Sequence, residues 1–514
     1  MVRFKRLQTL IRYGEFPGRL FMLMLIIRCV DLLWVQSYFV PDEYYQSLEV
    51  AHKKVFGNGY LTWEWNKGIR NYFYVSLIQG IYEILKILGL DSAELIIIAP
   101  RILQGVISSL SDVYFVRWVY EKRSGQFSWG LLSWLTCYFL SFCSTRTLIN
   151  TFEMNLTTIA LYYYPWTPKS TSIVFTSLLS LLCYIRPTAI ILWIPLVMIN
   201  IFNSKKPFHI VATRYIPVAF VVGILNVAID SYYYGSLTFT PFNFFKINVL
   251  ENIGSFYGTH NLFWYWYIGL PVVIGLQIIP LYLTVLLKIF NLSHFIRSLK
   301  YDVESQMILT IIWTVTVLSF IPHKEFRFLL PLLPMAMFVS SAALGRWSIN
   351  AKTWLLYAVG ALLITGSSGA LLFLGRFHNV GPLETMSSLR NDIGNTTSAK
   401  ILFLAPCHSF PLYSHLHSKV SARFLTCNPS IGNETTIDEA EKFYQNPQHW
   451  LRSQFATLQP CTLPTHIIKY DSLNITNFLH FNNYTLSEQI FNAFFYPERT
   501  GEFVHIYKRK GKVC

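Results

Sequence analysis

Long apolar runs separated by short polar segments dominate the sequence. About eleven of these runs have the length that the hydrocarbon core of a bilayer requires of a helix, or fall slightly short of it. They cover residues 20–39, 95–118, 127–145, 149–164, 172–186, 189–203, 214–234, 263–288, 305–321, 328–345 and 353–375. The pattern predicts an all-α polytopic membrane protein with about eleven transmembrane helices.

One further apolar run, residues 71–90, is ambiguous, and the basic residues of the loops decide how it is interpreted. Lys and Arg concentrate in cytosolic loops. The basic clusters between the runs are Lys122 with Arg123, Lys205 with Lys206 and Arg214, Arg297 with Lys300, and Arg346 with Lys352. All of them fall on the cytosolic side if the N-terminus is cytosolic and 71–90 does not cross. We therefore predict one long non-cytosolic loop, 41–94, with 71–90 as a helix lying in the membrane interface.

The C-terminal region has a different composition. Residues 377–514 are richer in Asn, Thr, Ser and His and contain no run long enough to span a bilayer. Four Asn-x-Thr glycosylation sequons lie here, at Asn395, Asn433, Asn474 and Asn483. Glycosylation of this kind takes place in the secretory pathway. We therefore expect a transmembrane domain, 1–376, followed by a soluble lumenal α/β domain, 377–514.

The cysteines agree with this division. Cys407, Cys427, Cys461 and Cys514 lie in the predicted lumenal domain, where a disulfide can persist. A bond between Cys407 and Cys427 encloses a short loop, which closes at a modest entropic cost. We expect this pair, although Cys461 is an equal competitor by chemistry.

Composition narrows the function classes. Of the 514 residues, 53% are hydrophobic and only 13% are charged, which excludes an ordinary soluble domain. A net charge of +15 is also typical of nucleic-acid binding, but here Lys and Arg fall mostly in short clusters between apolar runs. The charge is therefore that expected of cytosolic loops, and we predict no nucleic-acid partner.

The first apolar run ends in Pro41-Asp42-Glu43, which places two carboxylates at the bilayer surface. That position is unfavourable for a carboxylate, so it needs an explanation. Two interpretations are open at this point. The acidic pair caps an ordinary helix, or one carboxylate is a general base at a lipid-facing site.

Other charges fall at the ends of apolar runs on the same predicted side. They are Arg146, Glu153, Arg186, and His323, Lys324, Glu325 and Arg327. Each alone also suits a snorkelling residue or a local ion pair. A helix that begins near Pro322 would place His323 and Arg327 one turn apart on one face. Such a cluster suits an anion, and phosphate is the anion we expect.

Four segments together resemble glycosyltransferase family 22. They are Val-Pro-Asp-Glu-Tyr-Tyr-Gln-Ser-Leu-Glu-Val at 40–50, Gly-Tyr-Leu-Thr-Trp-Glu-Trp at 59–65, Thr-Arg-Thr-Leu-Ile-Asn-Thr-Phe-Glu at 145–153 and His-Lys-Glu-Phe-Arg-Phe at 323–328. The resemblance implies a multispan mannosyltransferase of the endoplasmic reticulum with the GT-C fold, using dolichyl phosphate mannose. Segments 242–246, 254–260 and 406–409 resemble the members that add the third, α-1,2-linked mannose to the GPI lipid intermediate. Tyr45 departs from the Trp expected there.

The resemblance also implies roles for residues. Asp42 would be the base of one inverting displacement from a β-linked donor, with Glu43 as second choice or as an orienting group. His323, Lys324 and Arg327, together with Arg70, would hold the donor phosphate. Arg146, Glu153 and Glu325 complete the expected substrate-binding set. No cofactor and no metal ion are expected.

Three alternatives stay open. A family 22 enzyme of N-glycan precursor assembly differs only in its acceptor. A lipid or sugar transporter would show internal repeats and charges near the bilayer midplane, whereas the charges here fall at the ends of the runs. A non-catalytic subunit would tolerate replacement of Asp42.

Overall fold

Apolar stretches fold as helices along most of the chain. The computed structural model describes residues 17–167, 171–251, 253–394, 396–429, 437–455 and 463–510. The α-helices through the last membrane-length one are α1 (Gly18–Trp34), α2 (Glu49–Phe56), α3 (Trp63–Asn66), α4 (Phe73–Ile87), α5 (Ala93–Arg123), α6 (Phe127–Leu135), α7 (Tyr138–Cys143), α8 (Ile149–Tyr163), α9 (Ile173–Ile185), α10 (Ala189–Asn203), α11 (Pro207–Ile210), α12 (Ile216–Tyr234), α13 (Thr240–Phe245), α14 (Leu270–Ile274), α15 (Ile278–Phe290), α16 (Leu292–Ser298), α17 (Val303–Phe320), α18 (Leu333–Ser348) and α19 (Thr353–Arg376).

Short π and 3-10 segments join several of these helices. The π segments are Tyr44–Leu48, Val211–Tyr215, Lys246–Leu250 and Tyr265–Gly269. The 3-10 segments are Ser124–Gln126, Ile253–Tyr257, Gly275–Gln277 and Phe326–Leu332. Two of them adjoin predicted site residues, because Tyr44–Leu48 follows Asp42 and Phe326–Leu332 contains Arg327.

Six helical stretches in the described chain are long and apolar enough to cross a bilayer. They are Ala93–Leu135, Pro207–Tyr234, Tyr265–Phe290, Val303–Phe320, Phe326–Ser348 and Thr353–Arg376. Helices α9 and α10 are shorter apolar helices. The prediction of a polytopic helical membrane protein is therefore confirmed, while the number of crossings, about eleven, stays a prediction.

The ambiguous run 71–90 forms the 15-residue helix α4. A helix of that length is roughly 22 Å long, which is less than the hydrocarbon thickness of about 30 Å. It is not one of the six membrane-length stretches. The length of α4 therefore supports the expectation that it lies in the interface.

Contacts divide the chain into two compact units. The first comprises the chain up to Leu33, Lys67–Tyr74 and Arg101–Leu371, and the second comprises Trp34–Asn66, Val75–Pro100 and the chain from Leu372 onward. The second unit thus joins most of the predicted loop 41–94 to the C-terminal region. Composition alone placed the boundary at 376/377 and did not indicate this grouping.

A buried charge network lies in the core of the first unit. The guanidinium of Arg28 donates to Asp112 at 2.7 and 2.8 Å and to Asp31 at 2.7 Å. Ser144 donates its hydroxyl to Asp31 at 3.0 Å, and the indole of Trp134 donates to Asp112 at 2.7 Å. These contacts join α1, α5 and α6 to the turn that precedes Arg146. They also give each buried charge a partner, without which its burial would be strongly unfavourable.

The C-terminal part of the second unit is built on a five-stranded mixed sheet. Its strands are β1 (Lys400–Leu404), β2 (Ser421–Phe424), β3 (His466–Tyr470), β4 (Tyr484–Phe491) and β5 (Phe503–Arg509), in the order β2-β1-β3-β5-β4. Strand β1 is parallel to β2 and β3, whereas β5 is antiparallel to β3 and β4. The accompanying helices are α20 (Gly381–Ile393), α21 (Tyr413–Leu416), α22 (Glu439–Gln445), α23 (Pro447–Phe455) and α24 (Thr476–Phe481).

Apolar residues explain the position of the central strands. Leu402 and Leu404 of β1 pack with Ile467 of β3 in one buried cluster, to which Phe443 and Trp450 contribute their rings. Every residue of β3 is buried. Such nearly continuous burial is typical of a central strand covered on both faces. The α/β architecture expected for the C-terminal region is confirmed.

Two of the four tail sequons can be located. Asn474 and Asn483 are exposed, whereas Asn395 and Asn433 lie outside the described residues, as do Cys461 and Cys514. Asn155 also begins a sequon but is 1% exposed and donates its amide to Ser108 at 2.9 Å. Exposure therefore separates the tail sites from this internal one.

We predict that Asn474 carries a glycan. In microsomes, Asn474→Gln should remove one endoglycosidase-sensitive increment of mass from the protein. Asn155→Gln is the control and should leave the glycan content of folded protein unchanged. A tail that stays unmodified, together with a 203–214 loop accessible from the lumen, would reverse the predicted topology.

Candidate active site

Asp42 begins a continuous helical stretch in the second unit. The carbonyl of Pro41 accepts hydrogen bonds from the amides of Tyr44 and Tyr45, both at 3.0 Å. The helix continues through the π segment into α2. Asp42 is half-buried, while Glu43 is 3% exposed. Asp42 is thus the more accessible of the two carboxylates.

Aromatic residues attach this stretch to the segment that follows β1. The hydroxyl of Tyr38 donates to the carbonyl of His408 at 2.5 Å, and that of Tyr45 donates to the carbonyl of Phe410 at 2.8 Å. The rings of Tyr45 and His408 lie 4.4 Å apart. Burial lowers the pKa of His408 to about 4, against the opposing effect of the charge on Asp42. The imidazole of His408 is therefore neutral, although the charge of Asp42 acts to raise its pKa.

A disulfide fixes the beginning of the same segment. Cys407 and Cys427 are bonded, with their Cα atoms 5.9 Å apart. Together with His408, the two cysteines form a group of three potential metal ligands. It is the one such group of His, Cys, Asp or Glu side chains in the described residues whose ligand atoms lie close enough together to hold a metal ion. The sulfurs are already joined to each other, and a metal ligand would be the thiolate. This group therefore does not fit a metal ion in its oxidised form.

Three of the four predicted phosphate-binding cations, His323, Lys324 and Arg327, flank Glu325 in the first unit. The Nε and Nη2 atoms of Arg327 donate to the two oxygens of Glu325, each at 2.6 Å. His323 Nε2 lies 2.9 Å from Glu325 Oε1. Lys324 is 3% exposed, and its ammonium donates to the carbonyls of Ile321 and His260 at 2.7 and 3.2 Å. Contacts thus join three of the four residues that the sequence pattern had grouped, whereas the ammonium of Lys324 bonds to backbone carbonyls.

The expected helix start near Pro322 is wrong. Glu325 has an extended backbone, and the 3-10 segment begins only at Phe326. The preceding residues bond instead to another loop, because the carbonyl of Pro322 accepts from the amide of His260 at 3.0 Å, and His323 Nδ1 lies 3.1 Å from the carbonyl of Gly258. Tertiary contacts therefore outweigh the preference of Pro for a first helical turn.

Electrostatics keep this cluster cationic. Burial raises the pKa of Glu325, but Arg327 and His323 outweigh it and bring the pKa to about 2. The hydrogen bond to Glu325 raises the pKa of His323. Burial lowers the pKa of Lys324. One ionised carboxylate thus stands against Arg327, a readily protonated His323 and Lys324, so the cluster has an excess of positive charge.

The remaining predicted residues are also in the first unit. Arg186 Nε pairs with Glu153 at 2.8 Å. Arg146 is 1% exposed, with its guanidinium 4.2 Å from the centre of the Phe142 ring. The carbonyl of Arg70 accepts from the hydroxyl of Tyr234 at 2.7 Å. The structure thus holds the predicted residues Arg70, Arg146 and Glu153 in packed surroundings.

A buried carboxylate also fixes the turn that follows Arg70. Asp230 is 0% exposed and accepts from the amide of Tyr72 at 2.8 Å and from the hydroxyl of Thr240 at 2.7 Å. The side-chain amide of Asn71 donates to the same carboxylate at 3.0 Å. The sequence pattern did not single out Asp230, although a carboxylate inside the apolar run 214–234 is a signal in itself.

Comparison with known proteins assigns the chain to a family. The family model of the Alg9-like mannosyltransferase family matches residues 19–417. The chain belongs to the Alg9-like mannosyltransferase family. The match includes Asp42, all the predicted substrate-binding residues and the segment around His408.

Individual relatives align over nearly the whole chain. GPI mannosyltransferase 3 of Drosophila melanogaster is 42% identical over 483 residues, covering 92% of this chain and 83% of the relative. GPI alpha-1,2-mannosyltransferase 3 of Danio rerio is 37% identical, covering 99% and 92%. The protein of that name from Homo sapiens is 37% identical, covering 98% and 89%.

A solved structure shows the fold. ArnT from Cupriavidus metallidurans in the apo state has a TM-score of 0.56 at 11% identity, with 95% of this chain and 97% of ArnT covered. The same protein bound to undecaprenyl phosphate has a TM-score of 0.52. The predicted GT-C fold is therefore confirmed.

The sequence pattern did not single out Glu49. It lies seven residues after Asp42 and is 0% exposed. Its carboxylate accepts hydrogen bonds from the amide of Tyr60 in the loop and from that of Ser414 in the tail. Its signal was a charged residue between the apolar residues Leu48 and Val50. Its partners in the tail are more than 360 residues away, so spacing could not reveal them.

Proposed function

We propose that this chain transfers mannose from dolichyl phosphate mannose to the GPI anchor precursor in the lumen of the endoplasmic reticulum. It adds the third mannose, in α-1,2 linkage and with inversion. One observation carries the proposal: relatives named GPI alpha-1,2-mannosyltransferase 3 align over 98–99% of the chain and about nine-tenths of their own length. The membrane-length helices suit a lipid-linked donor and a lipid acceptor.

The reaction is a single displacement at the anomeric carbon. Asp42 accepts the proton of the acceptor hydroxyl as its oxygen bonds to C1 of mannose, because a hydroxyl is otherwise a poor nucleophile. The bond from C1 to the phosphate oxygen breaks, and dolichyl phosphate leaves with the electron pair. Inversion converts a β-linked donor into an α-linked product. Glu43, beside Asp42 and buried, orients the base.

Fixed cations stabilise the leaving group. Negative charge accumulates on the departing phosphate, and preorganised cations are most effective where charge develops. Lys324, Arg327 and His323 supply this positive charge, with Glu325 holding two of them in place. Arg70, Arg146 and the Glu153–Arg186 pair complete the binding set. A phosphate needs little protonation to leave, so we propose that the enzyme uses no metal ion.

The decisive experiment is lipid analysis in cells lacking this protein. We expect a GPI intermediate with two mannoses to accumulate, and re-expression of the wild-type chain to restore the product with three. Accumulation of a truncated N-glycan precursor would instead identify the enzyme as acting on that pathway's acceptor. Normal levels of both lipids would reject the proposed function and favour a transporter or a subunit.

A further inference from the structure

Two helical turns beyond Asp42 lies a buried carboxylate that has no cationic partner among the residues the structure describes. Glu49 is 0% exposed. Its Oε1 accepts from the amides of Leu412 at 3.1 Å and Ser414 at 2.8 Å, and its Oε2 accepts from the amides of Tyr413 at 3.2 Å and Tyr60 at 3.3 Å. Every hydrogen-bond donor that the described chain gives to this carboxylate is neutral.

Such an arrangement is a poor way to gain stability alone. Removing a carboxylate from water is strongly unfavourable, and replacing buried charges by apolar residues is often neutral or stabilising. Burial raises the pKa of Glu49, while the hydrogen bonds from Ser414, Tyr60 and Leu412 oppose this effect. Three consecutive amides that bind one carboxylate do define a single geometry. Few other positions of the carboxylate would accept hydrogen bonds from all three amides.

The chain around Glu49 is shaped for this contact. Gly59 approaches α2 so closely that a Cβ atom there would lie 2.5 Å from the carbonyl of Glu49. This approach brings the amide of Tyr60 to the carboxylate. One turn further along α2, His52 Nε2 lies 2.9 Å from His417 Nδ1, just after the same tail segment. The contact is therefore a continuous attachment of α2 rather than one isolated hydrogen bond.

The attachment extends to both sides of Asp42. Tyr38, four residues before Asp42, bonds to the carbonyl of His408, and Tyr45, three residues after it, bonds to the carbonyl of Phe410. With Glu49, three side chains of the Asp42 region thus hold the tail segment 408–414. The π segment Tyr44–Leu48 lies between Asp42 and Glu49, and π turns occur often at functional sites.

We propose that Glu49 is a positioning residue that sets the orientation of Asp42 by locking its helix onto the tail segment 408–414. This inference rests on the proposed function and gives the C-terminal domain a part in catalysis. The family match agrees, since it continues beyond α19 and ends at residue 417, after the amides that Glu49 binds. Glu49 itself meets no substrate; it acts through Asp42.

The test is a double-mutant cycle on purified protein, with kcat and KM measured for mannose transfer. Glu49→Gln puts an NH2 group against N–H donors, so we expect kcat to fall about tenfold or more while KM for the donor changes less than about threefold. Amide exchange at 412–414 should rise. Asp42→Asn with Glu49→Gln should be no slower than Asp42→Asn alone, because both changes act on one group.

Glu439→Gln is the matched control. Glu439 also accepts from a backbone amide of the tail, that of Thr426 at 2.9 Å, but it has no contact with the Asp42 helix in the described chain. It should leave kcat unchanged. Unchanged kcat in Glu49→Gln with increased exchange at 412–414, or effects that simply multiply with those of Asp42→Asn, would overturn the proposal.

Two further measurements keep the test decisive. If Glu49→Gln does not yield folded protein, Tyr45→Phe removes one neutral hydrogen bond to the same segment, and an unchanged kcat with raised exchange around Phe410 contradicts the inference. Wild-type transfer is measured first. Its absence rejects the proposed function, whereas exchange at 412–414 still reports whether Glu49 holds the tail segment.

Discussion

Asp42→Asn should reduce mannose transfer by about 100-fold or more while leaving folding and donor binding intact. The amide has nearly the shape and hydrogen-bonding capacity of the carboxylate, but it cannot accept a proton, and general base catalysis contributes typically 10²–10⁴-fold. Purified protein assayed with dolichyl phosphate mannose and the GPI lipid acceptor gives kcat directly. Donor affinity should change little, because the expected phosphate ligands are other residues.

The alternative, that Asp42 merely caps a helix, makes the opposite forecast. Asn is nearly as good a cap as Asp, so activity would hardly change. Asp438 is the matched control, since its side chain caps α22 by accepting from the amide of Glu441 at 2.7 Å. Asp438→Asn should have normal turnover. Near-normal turnover of Asp42→Asn as well, with loss in Glu43→Gln, would transfer the role of base to Glu43.

Features that depend on local pattern were predictable from the sequence. Apolar runs indicated the membrane-length helices because a bilayer requires a certain length of uncharged chain. The apolar run 71–90 was interpreted from the charges of the loops rather than from its own composition, and α4 has the length of an interfacial helix. The change in composition near residue 377 indicated an α/β fold for the C-terminal region, which the sheet confirms.

Features that depend on distant partners were not predictable. The hydrogen bond between Glu49 and Ser414 joins residues 365 positions apart, and nothing in the spacing of either segment specifies the other. The backbone at Pro322–Glu325 followed contacts with the 258–260 loop instead of its own helical preference. The residue types of the candidate site can be read from the sequence. The hydrogen-bond partners of those residues are known only once the fold is known.

Arg327→Gln should lower kcat/KM by roughly 30- to 1,000-fold, which corresponds to about 2–4 kcal/mol for the loss of a preorganised charge stabiliser. Both donor affinity and kcat should suffer, because phosphate is bound in the ground state and carries more charge as it leaves. This pattern differs from that of Asp42→Asn. Steady-state kinetics with varied dolichyl phosphate mannose separate the two effects.

Because Arg327 and Glu325 form a two-pronged ion pair, removing Arg327 also takes from the half-buried Glu325 one of its two cationic partners, which destabilises the fold. The double variant Glu325→Gln with Arg327→Gln removes this complication by making both side chains neutral. If Arg327 serves only the ion pair, the double variant should recover activity; if it binds phosphate, activity should stay low in well-folded protein. Glu304 and Arg346 form the control pair, joined at 2.7 and 2.9 Å. Neutralising both should leave transfer unaffected. A loss confined to the 325/327 pair therefore assigns the phosphate to the cluster of Arg327, Glu325 and His323, and full activity of Glu325→Gln alone narrows the assignment to Arg327.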